Sequence, residues 1–243
     1  SPGMRRHIKE LKPGSVGDVA AMIAEPIQGV GGFATPPDGF FGAMKKELDN
    51  RGVLFISDEV QTGWGRTGEN FWGYQAHGMT PDILTFAKGV ANGLALGGVV
   101  ASADLMDSLP GNSLSTFGGN PMSAVGALAT IRYMLKHDTQ GHALAMGARL
   151  AGHLQPAVDA SPVVAELRGK GLMLAIETVQ AGTLEPNTDA ARRIMEEARA
   201  AGLLIGKGGL YGNVLRIAPP MTVTEAEIDE AADVLVRIIG GLG

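Results

Sequence analysis

Charged side chains stand where short apolar runs of this sequence end. Ala20 to Ala24 runs into Glu25, Val53 to Ile56 into Ser57-Asp58-Glu59, and Ile83 to Ala87 into Lys88. If these runs are strands of an open α/β sheet, their carboxyl ends are where ligands collect, so carboxylates and an amine share one rim. Taken singly, each is equally a solvated loop charge; the combination is what points to chemistry. A lysine at the mouth of a largely apolar wall is desolvated, which favours the neutral, nucleophilic amine and suits Schiff-base formation with a carbonyl compound. Arg216 lies near the end of the run Val214 to Ile217. Its planar guanidinium suits a bidentate grip on a carboxylate, although an ordinary strand-end arginine fits the position as well.

Other chemistries fail on missing partners. Val53-Leu54-Phe55-Ile56-Ser57-Asp58-Glu59 resembles the acidic strand of nucleotide hydrolases, which requires a Gly-x-x-x-x-Gly-Lys-Ser/Thr loop elsewhere. Gly206-Lys207-Gly208 and Gly169-Lys170-Gly171 both lack the hydroxyl residue after Lys and a leading Gly at the right distance. His7, His77, His137, His142 and His153 show no metal-ligand spacing, so no metal site is expected and the histidines read as surface residues.

The elements that must position these groups follow from periodicity. Phe40, Phe41, Met44 and Leu48 recur at helical spacing between the first two apolar runs, and Asn50-Arg51-Gly52 stops the helix, which makes one βαβ unit with both strands buried on two faces. Ile83 to Ala87 and Gly97 to Ala101 add strands to a parallel or mixed sheet. Asn120-Pro121 opens a helix to about Lys136, and a second helix runs from about Thr139 to Val158. Beyond it, short strands at Val163 to Leu167, Leu172 to Glu177, Leu203 to Ile205 and Val214 to Ile217 alternate with helices at Thr188 to Ala200 and Glu225 to Ile239. Thr224, with Glu227 three residues on, marks the start of the last helix. The expected organisation is α/β, with a mostly parallel sheet over residues 1–139 and a smaller α+β domain over 140–243. Gly supplies 36 of 243 residues, clustered beside the strand ends, as βα junctions with close ligand approach require.

Composition narrows the partners. With 25 acidic against 20 basic residues the formal charge is −5, which argues against nucleic acid and anionic membrane surfaces. Cysteine is absent, so disulfides and thiolate chemistry are excluded and a cytoplasmic location is the expectation. Ser1 to His7 lacks the apolar stretch of a secretory signal, and no segment reads as a membrane span.

Four motifs taken together carry a resemblance. Glu25-Pro26-Ile27-Gln28-Gly29, Asp58-Glu59-Val60-Gln61-Thr62-Gly63-Trp64-Gly65-Arg66-Thr67-Gly68, Thr85-Phe86-Ala87-Lys88-Gly89 and Ser115-Thr116-Phe117-Gly118-Gly119-Asn120-Pro121 closely resemble class III, pyridoxal-phosphate-dependent aminotransferases of fold type I, in order and in spacing. Ala24 to Val30 and Leu215-Arg216-Ile217-Ala218-Pro219 are most similar to the mitochondrial-type alanine-glyoxylate branch and its phospholyase relatives.

The resemblance implies pyridoxal 5'-phosphate as cofactor. Lys88 would bind its aldehyde, Asp58 would face the pyridine nitrogen, Val60 would pack on the ring, and Gln61 would hydrogen-bond the phenolic oxygen. Thr116 would reach the cofactor phosphate of a neighbouring subunit, which implies a homodimer. Arg216, at a strand end of the second domain, would bind the substrate carboxylate, with Glu25 also on the substrate-binding side, and the substrates would be an amino acid such as alanine and a 2-oxo acid such as glyoxylate or pyruvate. Relatives acting on ornithine or γ-aminobutyrate carry a glutamate five residues after the Glu25 position to mask that arginine; here Val30 occupies it. Nothing before Ala20 matches the family's early phosphate turn and ring-stacking aromatic, so the chain corresponds to the later part of such an enzyme, a fragment expected to be inactive alone. Phospholyase chemistry and a non-catalytic remnant are the alternatives.

Overall fold

The parallel strands β1 (Ala21–Ala24), β2 (Leu54–Asp58) and β3 (Ile83–Phe86) lie side by side in that order, and β4 (Gly98–Ala101) closes the sheet antiparallel to β3. They belong to a computed structural model that describes residues 19–109, 111 and 114–242; the Ser1 to His7 segment lies outside the described residues. Each strand is a short, largely apolar segment of four or five residues, too short for a helix.

Between β1 and β2, α1 (Phe40–Asp49) buries Phe41, Met44 and Leu48 on Val53 and Phe55. Gly52, at φ 65°, takes the left-handed turn that ends it. The expectation that β1 is buried on both faces is not met. Ile23 is 59% exposed, because β1 pairs with β2 alone and no described element covers its outer face. The short α2 (Ala103–Asp107) follows β4, and α3 (Pro121–Lys136) then begins where Asn120 Oδ1 accepts the amide of Ser123 at 3.0 Å, with Pro121 in the first turn.

The chain divides into two compact units. Among the described residues, one takes 19–26, Pro36–Trp64 and Trp72–His137; the other takes Ile27–Thr35, Gly65–Phe71 and 138–242. The second unit contains α4 (Thr139–Ala160), β5 (Val164–Lys170), β6 (Met173–Thr178), α5 (Thr188–Ala200), β7 (Gly206–Gly208), β8 (Val214–Ile217) and α6 (Glu225–Gly240). Its sheet is antiparallel in the order β5-β6-β8-β7. Leu150, Leu154, Ile194, Leu235 and Ile239 of the helices pack with Leu174, Ile176 and Leu215 of the sheet. The Thr224–Glu227 pair forms a capping box at the start of α6.

The strand expected at Leu203 to Ile205 falls instead on Gly206–Gly208. Leu203 and Ile205 turn their side chains into the helical core, while the ladder to β8 forms on the three residues that follow. Among the described residues no helix is long and apolar enough to cross a membrane.

Candidate active site

Because β1, β2 and β3 are adjacent and parallel, their carboxyl ends bring Glu25, Asp58 and Lys88 to one edge of the first unit. Glu25 is half-buried directly after β1, and Asp58 is the half-buried last residue of β2. Asp58 Oδ1 accepts the amide of Val60 at 3.1 Å, while Oδ2 has no hydrogen-bond partner among the described residues. That single turn orients the carboxylate and leaves one oxygen available.

Lys88 is exposed at the start of a one-turn 3₁₀ segment after β3, with φ 45°. A left-handed lysine is uncommon and strained, a condition that collects at functional sites. Its amine makes no hydrogen bond or ion pair among the described residues. A free amine and a half-free carboxylate on one rim are the donor set an aldehyde-bearing pyridine cofactor requires, so the residues present fit pyridoxal phosphate. Val60 and Gln61 are half-buried in the loop leaving β2. Thr116 is exposed in the turn before α3, where Gly118 N–H donates to Ser115 O at 3.2 Å.

Glu59, which the sequence sets among the charges at the strand ends, is fully buried. Its carboxylate accepts from Ser57 Oγ (3.0 Å), Thr62 Oγ1 (2.6 Å) and the amides of Gly73 (2.7 Å) and Tyr74 (2.8 Å). The acidic residue beside Asp58 is thus a clasp that closes the loop carrying Val60 and Gln61. Trp64, Trp72 and Phe86 pack edge-to-face or tilted next to it, with ring centroids 4.8 to 6.2 Å apart.

Arg216 belongs to the second unit. Its Nη1 donates to Gly29 O at 3.1 Å, its guanidinium carbon lies 5.6 Å from the Phe33 ring centroid, and its Nε is buried with no partner. No carboxylate among the described residues pairs with it. A buried guanidinium N–H without an acceptor is costly unless a ligand supplies one. The loop beneath it is held by further backbone contacts: Arg168 Nε and Nη2 donate to Gly32 O at 3.0 and 2.8 Å, and Gly209 N–H donates to Val30 O at 3.0 Å. The Val30 side chain is 72% exposed. Arg66, which the sequence left without a role, donates to Pro219 O at 2.6 Å and Leu172 O at 3.3 Å, and its burial lowers its pKa from the usual arginine value. It is a backbone clamp.

The family model for aminotransferase class III matches residues 3–239. The chain belongs to the class III aminotransferases. It is 41% identical over 221 residues to alanine–glyoxylate aminotransferase 2 homolog 2, mitochondrial, of Arabidopsis thaliana, a match covering 90% of this chain and 46% of that one. It is 38% identical to a 4-aminobutyrate aminotransferase of Mycobacterium leprae, covering 92% of this chain and 50% of the relative. A solved phospholyase from Arthrobacter in complex with phosphoethanolamine superposes with a TM-score of 0.88 at 31% identity, covering 93% of this chain and 54% of that one. The α/β architecture with a mostly parallel sheet is that of the PLP-dependent transaminases of fold type I. This class III chain spans about half the length of the curated relatives it matches.

Proposed function

We propose that the complete protein is a pyridoxal-phosphate-dependent aminotransferase that moves an amino group from an amino acid such as alanine to a 2-oxo acid such as glyoxylate or pyruvate. The observation that carries this reading is the Lys88 amine, unpaired among the described residues, at the same sheet edge as the Asp58 carboxylate, which has one oxygen without a partner among them. When bound, pyridoxal phosphate supplies an electron sink for the substrate α-carbon. Lys88 would hold the cofactor aldehyde and would carry a proton to and from that carbon. Asp58 would face the ring nitrogen and keep its proton in place, Val60 would pack against the ring, and Gln61 would hydrogen-bond its phenolic oxygen.

Arg216 would grip the substrate carboxylate, in keeping with its Nε, which has no partner among the described residues, and Glu25 is a further candidate for substrate binding. Val30 cannot form an ion pair with Arg216, which favours α-amino acids over amines lacking an α-carboxylate. Thr116 reaches the phosphate of the second subunit's cofactor in a homodimer; its exposure, and that of the adjacent Phe117 and of Met122 and Val125 on α3, supports the pairing. A cytoplasmic location is the reading that the absence of cysteine supports; imaging of the tagged full-length protein tests it.

The test is amino transfer by the full-length protein from alanine to glyoxylate, with Lys88→Ala alongside. Turnover in the parent that is lost in the variant is the expected result. The phospholyase likeness defines a second arm: release of inorganic phosphate from phosphoethanolamine without amino transfer would replace the first reading. Inactivity in both arms would mark a non-catalytic remnant.

A further inference from the structure

We propose that Gly208 is a specificity-determining position, because the lack of a side chain there sets where the Arg216 guanidinium lies. The inference rests on the reading of Arg216 as the carboxylate site. β7 pairs antiparallel with β8, so that Gly206 faces Arg216 and Gly208 faces Val214. The Arg216 side chain runs along this ladder towards Gly208. A Cβ at Gly208 would lie 2.8 Å from Arg216 Cδ, 2.9 Å from Nε and 3.0 Å from Val30 O. A Cβ at Gly206 would meet nothing closer than 3.6 Å, with Arg216 Nη2 at 3.8 Å.

Neither glycine has a left-handed backbone, so an L-residue is refused at Gly208 by lack of space and accepted at Gly206. Carbon pairs are most favourable at about 3.5 to 4.0 Å, so a methyl group at Gly208 must displace something. Val30 O is fixed by the amide of Gly209 at 3.0 Å, whereas the Arg216 stem is a chain of rotatable bonds. The stem therefore gives way. The guanidinium then leaves its bond to Gly29 O and its seat over Phe33, and a substrate α-carboxylate meets a misplaced cation. Gly208 acts through Arg216 and is a positioning residue.

The experiment uses the full-length holoenzyme and its Gly208→Ala and Gly206→Ala variants. Gly208→Ala should raise KM for alanine by about tenfold or more while kcat stays within about twofold, since a misplacement of about 1 Å in a positioned group costs up to 10²-fold. KM for an amine without an α-carboxylate should not move, and Gly206→Ala should match the parent throughout. Calorimetric binding of acetate should weaken in Gly208→Ala alone, a readout independent of turnover. In the Gly208→Ala/Arg216→Ala double variant, the first substitution should add nothing to the second, because its target is gone.

Equal KM values for alanine in the two glycine variants, or additive losses in the double variant, would overturn the proposal. So would a Gly208→Ala protein that fails to fold even with Arg216→Ala, since the crowding would then not involve the arginine. If Arg216→Ala leaves KM for alanine unchanged, the carboxylate-site reading itself fails. If Arg216→Ala raises it and Gly208→Ala does not, only the role of Gly208 is lost.

Discussion

The two sheets of this chain solve the burial problem in opposite ways. In the second unit, β6 is covered on both faces: Leu174 and Ile176 pack with the helices, while Met173 and Ala175 pack with Ile27, Phe33 and Val214. In the first unit, β1 leaves Ile23 exposed and β4 leaves Val99 and Val100 exposed. The closed sheet carries a cation whose stem is confined on several sides. The other carries the groups proposed to react, at the ends of four- and five-residue strands, and relies on the buried Glu59 carboxylate to fix the loop beside them. Rigidity at a site does not require a thick core beneath it; a few well-satisfied polar contacts suffice.

The sharpest test of this contrast is Lys88→Ala in the full-length protein. The side chain is exposed and unpartnered, so circular dichroism and the unfolding midpoint should not change, whereas activity should fall by about 10²- to 10⁴-fold for loss of a general base. A destabilised variant would mean that Lys88 serves the fold. Next in size is a pair of truncations read by chemical denaturation. Leu154→Ala, fully buried in the second core, should cost about 2 to 5 kcal/mol. Ile23→Ala on the exposed face of β1 should stay within about 0.5 kcal/mol. Similar costs for both would show that the outer face of β1 is covered in the complete protein.

Glu59→Gln should cost about 1 to 3 kcal/mol, because the amide offers one acceptor oxygen to four donors and turns its NH2 towards N–H groups. A cost near zero would remove the clasp from the account. The smallest effect concerns the surface of the second unit. The Arg149 guanidinium, hydrogen-bonded to Asp229 at 2.6 and 2.7 Å, holds that carboxyl below the usual carboxylate range. A depressed folded pKa contributes stability above the unfolded carboxylate value of about 3.9, and this is lost as pH falls through the folded value. Asp229→Asn should therefore flatten the low-pH arm of the stability curve slightly; an unchanged arm would assign the acid sensitivity elsewhere.

Much of this was legible in the sequence, and the failures share a cause. Glu25, Asp58 and Lys88 announce themselves because a short apolar run broken by a charge is a local signal, and Asn120-Pro121 and Thr224 with Glu227 mark helix starts for the same reason. Glu59 carries the same strand-end signal, but its part as a clasp does not show in it: two of its donors are the amides of Gly73 and Tyr74, and a backbone amide has no residue type to read. Arg66 likewise binds backbone carbonyls, those of Leu172 and Pro219, so no complementary residue betrays it. β7 was misplaced because an apolar run that feeds a helical core looks like a strand, while the strand itself is three residues of Gly and Lys. The assignment of Ile27–Thr35 to the second unit likewise depends on contacts with Arg168, Gly209 and Arg216, far along the chain.

The Glu59 clasp also bears on the order in which the molecule assembles. Its four donors lie 2 to 15 residues away, whereas the bond from Arg216 to Gly29 spans 187 residues and those from Arg168 to Gly32 span 136. Closing a short loop costs less chain entropy than closing a long one. On a ribosome, the clasp can form once Tyr74 has emerged, but the segment Ile27–Thr35 must wait for the second sheet to be synthesised. Pulse-labelling of amide hydrogens during refolding should protect Gly73 and Tyr74 before Phe33 and Gly209. The fold would then mature from the Glu59 clasp outward, with the seat of the Arg216 guanidinium completed last.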